Sequence, residues 1–291
     1  MKPSIGGRSP VDLTIRRCKI HDCSLKGPTS CQAVSISCNS FLIEENEFYD
    51  NVDIAVDLWF DCCYGSVRYN DFYTINTTRN QGTGIYLDNA HDIKIYGNLF
   101  RDNYFTDGVC VATESGGQSG SYNVYVFSNV FLNMHKNAMS VWISDTSTQT
   151  VTATYFYNNT CVNCNKCWEW GSLNNNMITA TFANNIGFYT SNVGGNYGPG
   201  TYNVTLTNNY SALQTNTSGG AAVYLVNPAL RPSFDVNWVP SANGFELKSG
   251  TNARVNAGVA FPAAMTPAQD FAKRTRTVGI APDQGALERQ S

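Results

Sequence analysis

Asp57, Asp88, Glu114 and Glu169 are carboxylates that fall in one phase of a repeating pattern, with Trp59, Tyr86 and Trp142 in the same phase and Trp168 and Trp170 flanking Glu169. Two carboxyl groups held at a fixed separation are the minimal equipment for general acid–base catalysis, one donating a proton while the other accepts. Aromatic rings among them suit a ligand with CH faces and hydroxyl edges, because the rings stack on the faces and the carboxylates bond the hydroxyls. A polysaccharide or oligosaccharide is the partner that this combination predicts. Lys136 with its neighbour His135, and Arg101, belong to a different chemistry, in which a basic side chain takes a proton or a cation holds an acidic ligand.

These residues need strands to position them. In Gly84–Asn103, apolar residues alternate at Ile85/Leu87 and at Ile93/Ile95, which reads as two short strands joined by a polar turn, and an Asn-x-Phe-x-x-Asn corner follows. Aligned on the first Asn of that corner, copies recur at Asn46, Asn70, Asn98, Asn129, Asn159, Asn185 and Asn209, spaced 24 to 31 residues apart, with Cys18 in the same place of an earlier copy. A unit this short cannot bury its own apolar face and must stack on its neighbours, so the chain is a solenoid of about eight rungs. Asn tolerates left-handed backbone angles at a tight corner, and stacked Asn side chains can bond from rung to rung. Apolar pairs before each Asn (Phe41/Ile43, Ile93/Ile95, Val124/Val126, Ala180/Phe182, Val204/Leu206) supply a continuous core for a parallel sheet.

Registering Gly84 on Ala55, Gly108 and Ala138 places Ile85, Val56, Val109 and Met139 inside. Asp57 and Trp59, Tyr86 and Asp88, Cys110 and Ala112, and Ser140 and Trp142 then face outward. Asp57 and Asp88 become diagonal neighbours on adjacent rungs, about 7–8 Å apart. Inverting glycosidases hold their acid and base about 6.5–9.5 Å apart to admit a water, so the pair suits inversion. The bland alternative is that the carboxylates merely solvate an exposed sheet, which must show something polar to water.

Composition limits the partners. Of 291 residues 14% are charged, with a net charge of −3, so no basic field draws nucleic acid or an anionic membrane. No run of about 18 apolar residues predicts a membrane helix. Ten cysteines and an Asn/Thr/Gly-rich composition fit a secreted or cell-surface protein. Cys161, Cys164 and Cys167 have the spacing of a metal knuckle but lack a fourth ligand nearby; disulfides or inward-stacked thiols are the alternatives, and Cys161 occupies the place of Phe48, Phe72 and Phe100 in other rungs. Because the first rung begins at Val11, an N-terminal cap and a secretion signal are expected to precede it. Insertions at 74–83, 114–121 and 191–200 are expected to wall one face. A second outward aromatic row, Tyr96, Tyr125, Phe127, Tyr155 and Tyr157, is too apolar to leave wet and needs a cover. His21 and His91 read as surface residues of turns.

After residue 220 the pattern changes. Val223–Pro228, Phe245–Gly258 and the run Pro282, Asp283, Gln284, Gly285, Ala286, Leu287, Glu288 resemble the closing segment of the right-handed parallel β-helix proteins of the pectate-lyase-like superfamily, although Asn256 stands where an acidic residue is usual. The resemblance implies an all-β, single-stranded right-handed parallel β-helix, rungs over 1–220 and a C-terminal rung and closing tail over 221–291, and a parallel sheet used for glycan binding. It implies a secreted polysaccharide-degrading enzyme, with a glycoside hydrolase as the first expectation. The alternatives are a calcium-dependent polysaccharide lyase, with Lys136 or Arg101 as base and Asp57, Asp88 and Asp107 as calcium ligands, and a glycan-binding, adhesin or tailspike-like module. Neither the Arg-x-Pro-x-x-Arg of pectate lyases nor the Asn-Thr-Asp and Gly-His-Gly of polygalacturonases is present, which disfavours the named activities on pectin.

Overall fold

The computed structural model describes residues 11–23, 32–75, 82–103, 106–114, 120–192 and 194–213, together with parts of 221–287. The expected N-terminal cap, Cys31, residues 76–81 and 115–119 of the insertions, and Asn256 lie outside the described residues. The chain is a right-handed parallel β-helix whose strands cycle through three sheets of eight, eight and seven strands. The seven-stranded sheet consists of Val34–Ile36, Ile54–Trp59, Gly82–Asp88, Thr106–Thr113, Asn137–Ile143, Lys166–Ser172 and Asn196–Tyr197. Among the described residues no helix is long and apolar enough to cross a membrane.

Inside, apolar side chains stack in register. Phe48, Phe72, Phe100 and Phe131 lie ring on ring with centroids 4.8, 4.7 and 4.8 Å apart. Cys161 continues the same column, opposite Phe131. It is a buried free thiol, as are Cys164 and Cys167. Burial and its Cys164 and Cys167 neighbours push the Cys161 thiol well up, so it packs as neutral sulfur. In another of the three sheets the core opens at the last rung: Leu206 pairs with Phe182 but is 53% exposed, because no described strand stacks beyond Thr201–Thr207.

The Asn corners form one continuous relay. From Asn70 to Asn209, each Asn Oδ1 accepts both the backbone N–H and the Nδ2–H of the preceding ladder Asn, at 2.8–3.1 Å. Cys18 N–H donates to Asn46 Oδ1, so the earlier copy joins without a side-chain amide. The left-handed angles expected of the Asn residues fall instead on the residue before each one: Glu45, Tyr69, Gly97, Ser128, Asn158, Asn184 and Asn208 have φ between 50° and 66°. The chain turns at that residue so that the following Asn can aim its amide along the solenoid axis.

The tail supplies the cover that the outer faces need. Ala221, Leu225, Phe245, Leu247 and Phe271 pack on Leu99, Val130, Leu132 and Phe188. Met265 and Phe234 pack against the Tyr69, Tyr96 and Phe127 aromatics. Polar clamps fix the docking: Asn158 Nδ2 donates to the Asp283 carbonyl, Gly285 N–H to the Asn184 carbonyl, and Ala286 N–H to Thr160 Oγ1.

Asn98→Ala removes two accepted bonds, and the two N–H groups of Nδ2 that the Val67 and Tyr96 carbonyls and Asn129 Oδ1 share, from a fully buried place in the relay. It is expected to lower unfolding free energy by about 2–4 kcal/mol. Asn209→Ala, half-buried at the end of the relay, is expected to cost clearly less. Urea denaturation of the two variants measures the difference, and equal losses would contradict a continuous relay.

Candidate active-site cleft

The seven-stranded sheet presents its outer face to a cleft of about 570 Å³. Strand pairing sets its columns. Asp57 lies opposite Tyr86, Tyr86 opposite Cys110, Cys110 opposite Ser140, and Ser140 opposite Glu169. Two residues further along each strand, Trp59, Asp88, Ala112, Trp142 and Gly171 form a second column. Asp57 and Asp88 are therefore diagonal on adjacent strands. They are buried, at 5% and 8% exposure, within the sheet floor. Asp57, Asp88, Glu114, Glu169, Lys136, Trp59, Tyr86 and Trp142 all line this one cleft.

The other two candidates lie elsewhere. Arg101 sits in the strand Leu99–Arg101 of a different sheet, where it pairs with Asp71 at 2.8 Å and stacks over Tyr73. His135 is exposed at a corner and is not part of the cleft lining. It precedes the strand that begins at Asn137, so it turns away just before the sheet begins. The cleft has Lys136 at its rim, and Lys166 is bonded to Glu169. Both lysines occupy the corner end of their rungs, where strict alternation has not yet begun.

Polar contacts hold the acids in place. Ser35 Oγ donates to Asp57 Oδ2 at 3.0 Å. Asn89 Nδ2 and the Glu114 N–H both donate to Asp88 Oδ1, at 2.7 and 2.8 Å. Tyr86 O–H donates to Glu114 Oε1 at 2.5 Å. Burial holds the Tyr86 phenol well above its ordinary range, so it remains a neutral donor.

Asp53 and Asp107 bring the carboxylates around the cleft to six. Asp107 is buried and accepts from Ser140 Oγ at 2.9 Å and from the Asn137 N–H at 3.3 Å. Asn137 in turn donates through Nδ2 to Glu169 Oε2, at 3.0 Å, and so links the two acids. Desolvation pushes the Asp107 carboxyl up, opposed by Lys136 and by the two donors. Asp107 entered the sequence reading only as a calcium ligand, and Asp53 not at all. Both stand at strand starts, one or more places before the alternating stretch that marks an outward face. Cys110, at the centre of the floor, is held protonated by the same burial. Among the described residues no group of three or more His, Cys, Asp or Glu side chains is arranged to hold a metal ion.

Fold and cleft together define a right-handed parallel β-helix with an acidic, aromatic groove on one sheet. Residues 2–117 match the model of a family described as right handed beta helix region. Among solved structures, the crystal structure of the pectate lyase Pel9A is similar at 13% identity and a TM-score of 0.39, covering 97% of this chain and 87% of that one. At that level the likeness says nothing about the cleft. No curated protein matches the chain.

The raised Asp107 pKa has a defined consequence for stability. Between the ordinary carboxylate range and the folded pKa, the native state binds more protons than the unfolded chain, so Asp107 makes stability fall as pH rises through that window. Asp107→Asn removes the titration and keeps an acceptor for Ser140. Its melting temperature is expected to exceed the wild type's at neutral pH, with the gap closing towards the unshifted carboxylate pKa of about 4. A gap independent of pH, followed by calorimetry across that range, would contradict it.

Proposed function

We propose that this chain is a secreted carbohydrate-active enzyme, a glycoside hydrolase that cleaves a polysaccharide with carboxylates of the cleft as acid and base. The observation that carries the reading is the diagonal placement of Asp57 and Asp88 on one sheet floor, between Trp59, Tyr86 and Trp142. Diagonal strand neighbours stand about 7–8 Å apart, a separation that admits a water between acid and base. Asp88 accepts from Asn89 Nδ2 and the Glu114 N–H, and Asp57 from Ser35 Oγ, contacts that would fix their oxygens against a bound sugar. The rings would supply stacking platforms, and Glu114 with Tyr86 would bond hydroxyls at the rim.

The electrostatics favour a neutral glycan. Even with Glu169 paired to Lys166 and Asp107 pushed towards its neutral form, Asp53, Asp57, Asp88 and Glu114 face Lys136 around the cleft, an environment that repels a polyuronate unless a cation bridges it. Calcium-assisted β-elimination asks for converging oxygen ligands, and among the described residues no three carboxylates gather into such a group.

Reducing-end release from a panel of neutral and uronic polysaccharides tests the assignment. Wild-type activity is expected to resist EDTA and to appear without an unsaturated-uronate absorbance. Asp57→Asn and Asp88→Asn are each expected to lower kcat by about 10²–10⁴ with the fold retained. Full activity in both variants would sink the assignment of these residues. EDTA-sensitive cleavage with unsaturated products would replace hydrolysis by lyase chemistry.

A further inference from the structure

We infer that Tyr197 closes the cleft at its Glu169 end and limits how many sugar units of a bound chain fit beyond the Asp57/Asp88 pair, so that the cleft takes chain ends rather than internal segments. The inference rests on the hydrolase reading above. Tyr197 pairs with Gly171, the residue that continues the Trp59, Asp88, Ala112 and Trp142 column. A Cβ on Gly171 would lie 2.3, 2.4 and 2.5 Å from Cζ, Cε1 and Cε2 of the Tyr197 ring. The ring therefore rests on the sheet floor in the space that a side chain at 171 would fill. It stands in the path that a glycan stacked on Trp142 would follow.

The segment that holds the ring is anchored backbone to backbone. Trp170 N–H donates to the Gly195 carbonyl at 3.0 Å. Gly198, with φ +81°, comes so near that a Cβ there would lie 2.1 Å from the Ser172 carbonyl oxygen. Tyr202 latches the same place: its hydroxyl faces the Tyr197 and Gly198 carbonyls and accepts from the Ser172 N–H at 3.2 Å. Tyr197 is itself part of the cleft lining, and burial, with Cys110, Glu169 and Asp107 adding to it, pushes its phenol up, so it stands there as a neutral hydroxyl. From Asp88 to Gly171 is three strand spacings, about 14 Å. That length is what the end stop leaves on this side of the candidate pair.

The test uses the intrinsic tryptophan fluorescence of the cleft, titrated with cello-, xylo- and galacto-oligosaccharides from dimer to octamer, together with the lengths of the cleavage products. In the wild type, affinity is expected to stop rising at a short oligomer. In Tyr197→Ala it is expected to keep rising, by about tenfold for the longer oligomers, with longer products. Tyr197→Phe, which keeps the ring, is expected to keep the wild-type plateau, and Tyr202→Phe, which loosens the latch, to blur it. Cleavage by the wild type with the same length profile in Tyr197→Ala would overturn the end stop alone. Neither binding nor cleavage of any oligomer by the wild type would overturn the hydrolase reading and the end stop together.

Discussion

The interaction on which the rest of the structure depends is the amide relay through the buried Asn corners. Each side chain fixes the next rung by two accepted bonds, so neighbouring rungs cannot slip by a residue without leaving buried amides unpaired. A one-residue slip would also turn every outward side chain of a strand inward. The relay thus does for the cleft what the cleft cannot do for itself. It keeps Asp57, Tyr86, Cys110, Ser140 and Glu169 in one column although they lie on five strands joined by long stretches of chain.

Given that register, the chemistry of the floor follows from what each position is allowed to be. Small residues at Cys110, Ala112 and Ser140 leave room between the aromatic and acidic walls. Desolvation then divides the ionisable groups. Tyr86, Cys110 and Asp107 are pushed towards their neutral forms, and Glu169 is paired with Lys166. The sheet therefore offers neutral donors beside carboxylates, a combination that both binds hydroxyls and moves protons.

Much of this was legible in the sequence because it is periodic. The Asn spacing showed the rungs, and aligning Gly84 with Ala55, Gly108 and Ala138 reproduced the strand pairing. The failures sit where periodicity ends. Arg101 lies in a corner strand whose three residues show no alternation, and only the fold reveals that it faces Asp71 on another sheet. Asp53 and Asp107 precede their alternating stretches, so no pattern marked them as cleft residues. Tyr197 belongs to the two-residue strand Asn196–Tyr197, whose return onto Gly171 depends on backbone contacts at Gly194, Gly195 and Gly198, which a single sequence does not spell out. The left-handed residue of each corner was misplaced by one position, because the preference of Asn for such angles is real but here yields to its role as a double acceptor.

The central claim is that two fixed carboxylates on a rigid parallel sheet cleave a glycosidic bond through an intervening water. The most direct measurement is the anomeric configuration of the first product, followed by proton NMR during hydrolysis before mutarotation sets in. The diagonal separation of Asp57 and Asp88 predicts inversion. A product that keeps the configuration of the substrate would mean that the two carboxyls work at closer range, or that other residues do the chemistry, and would contradict the account.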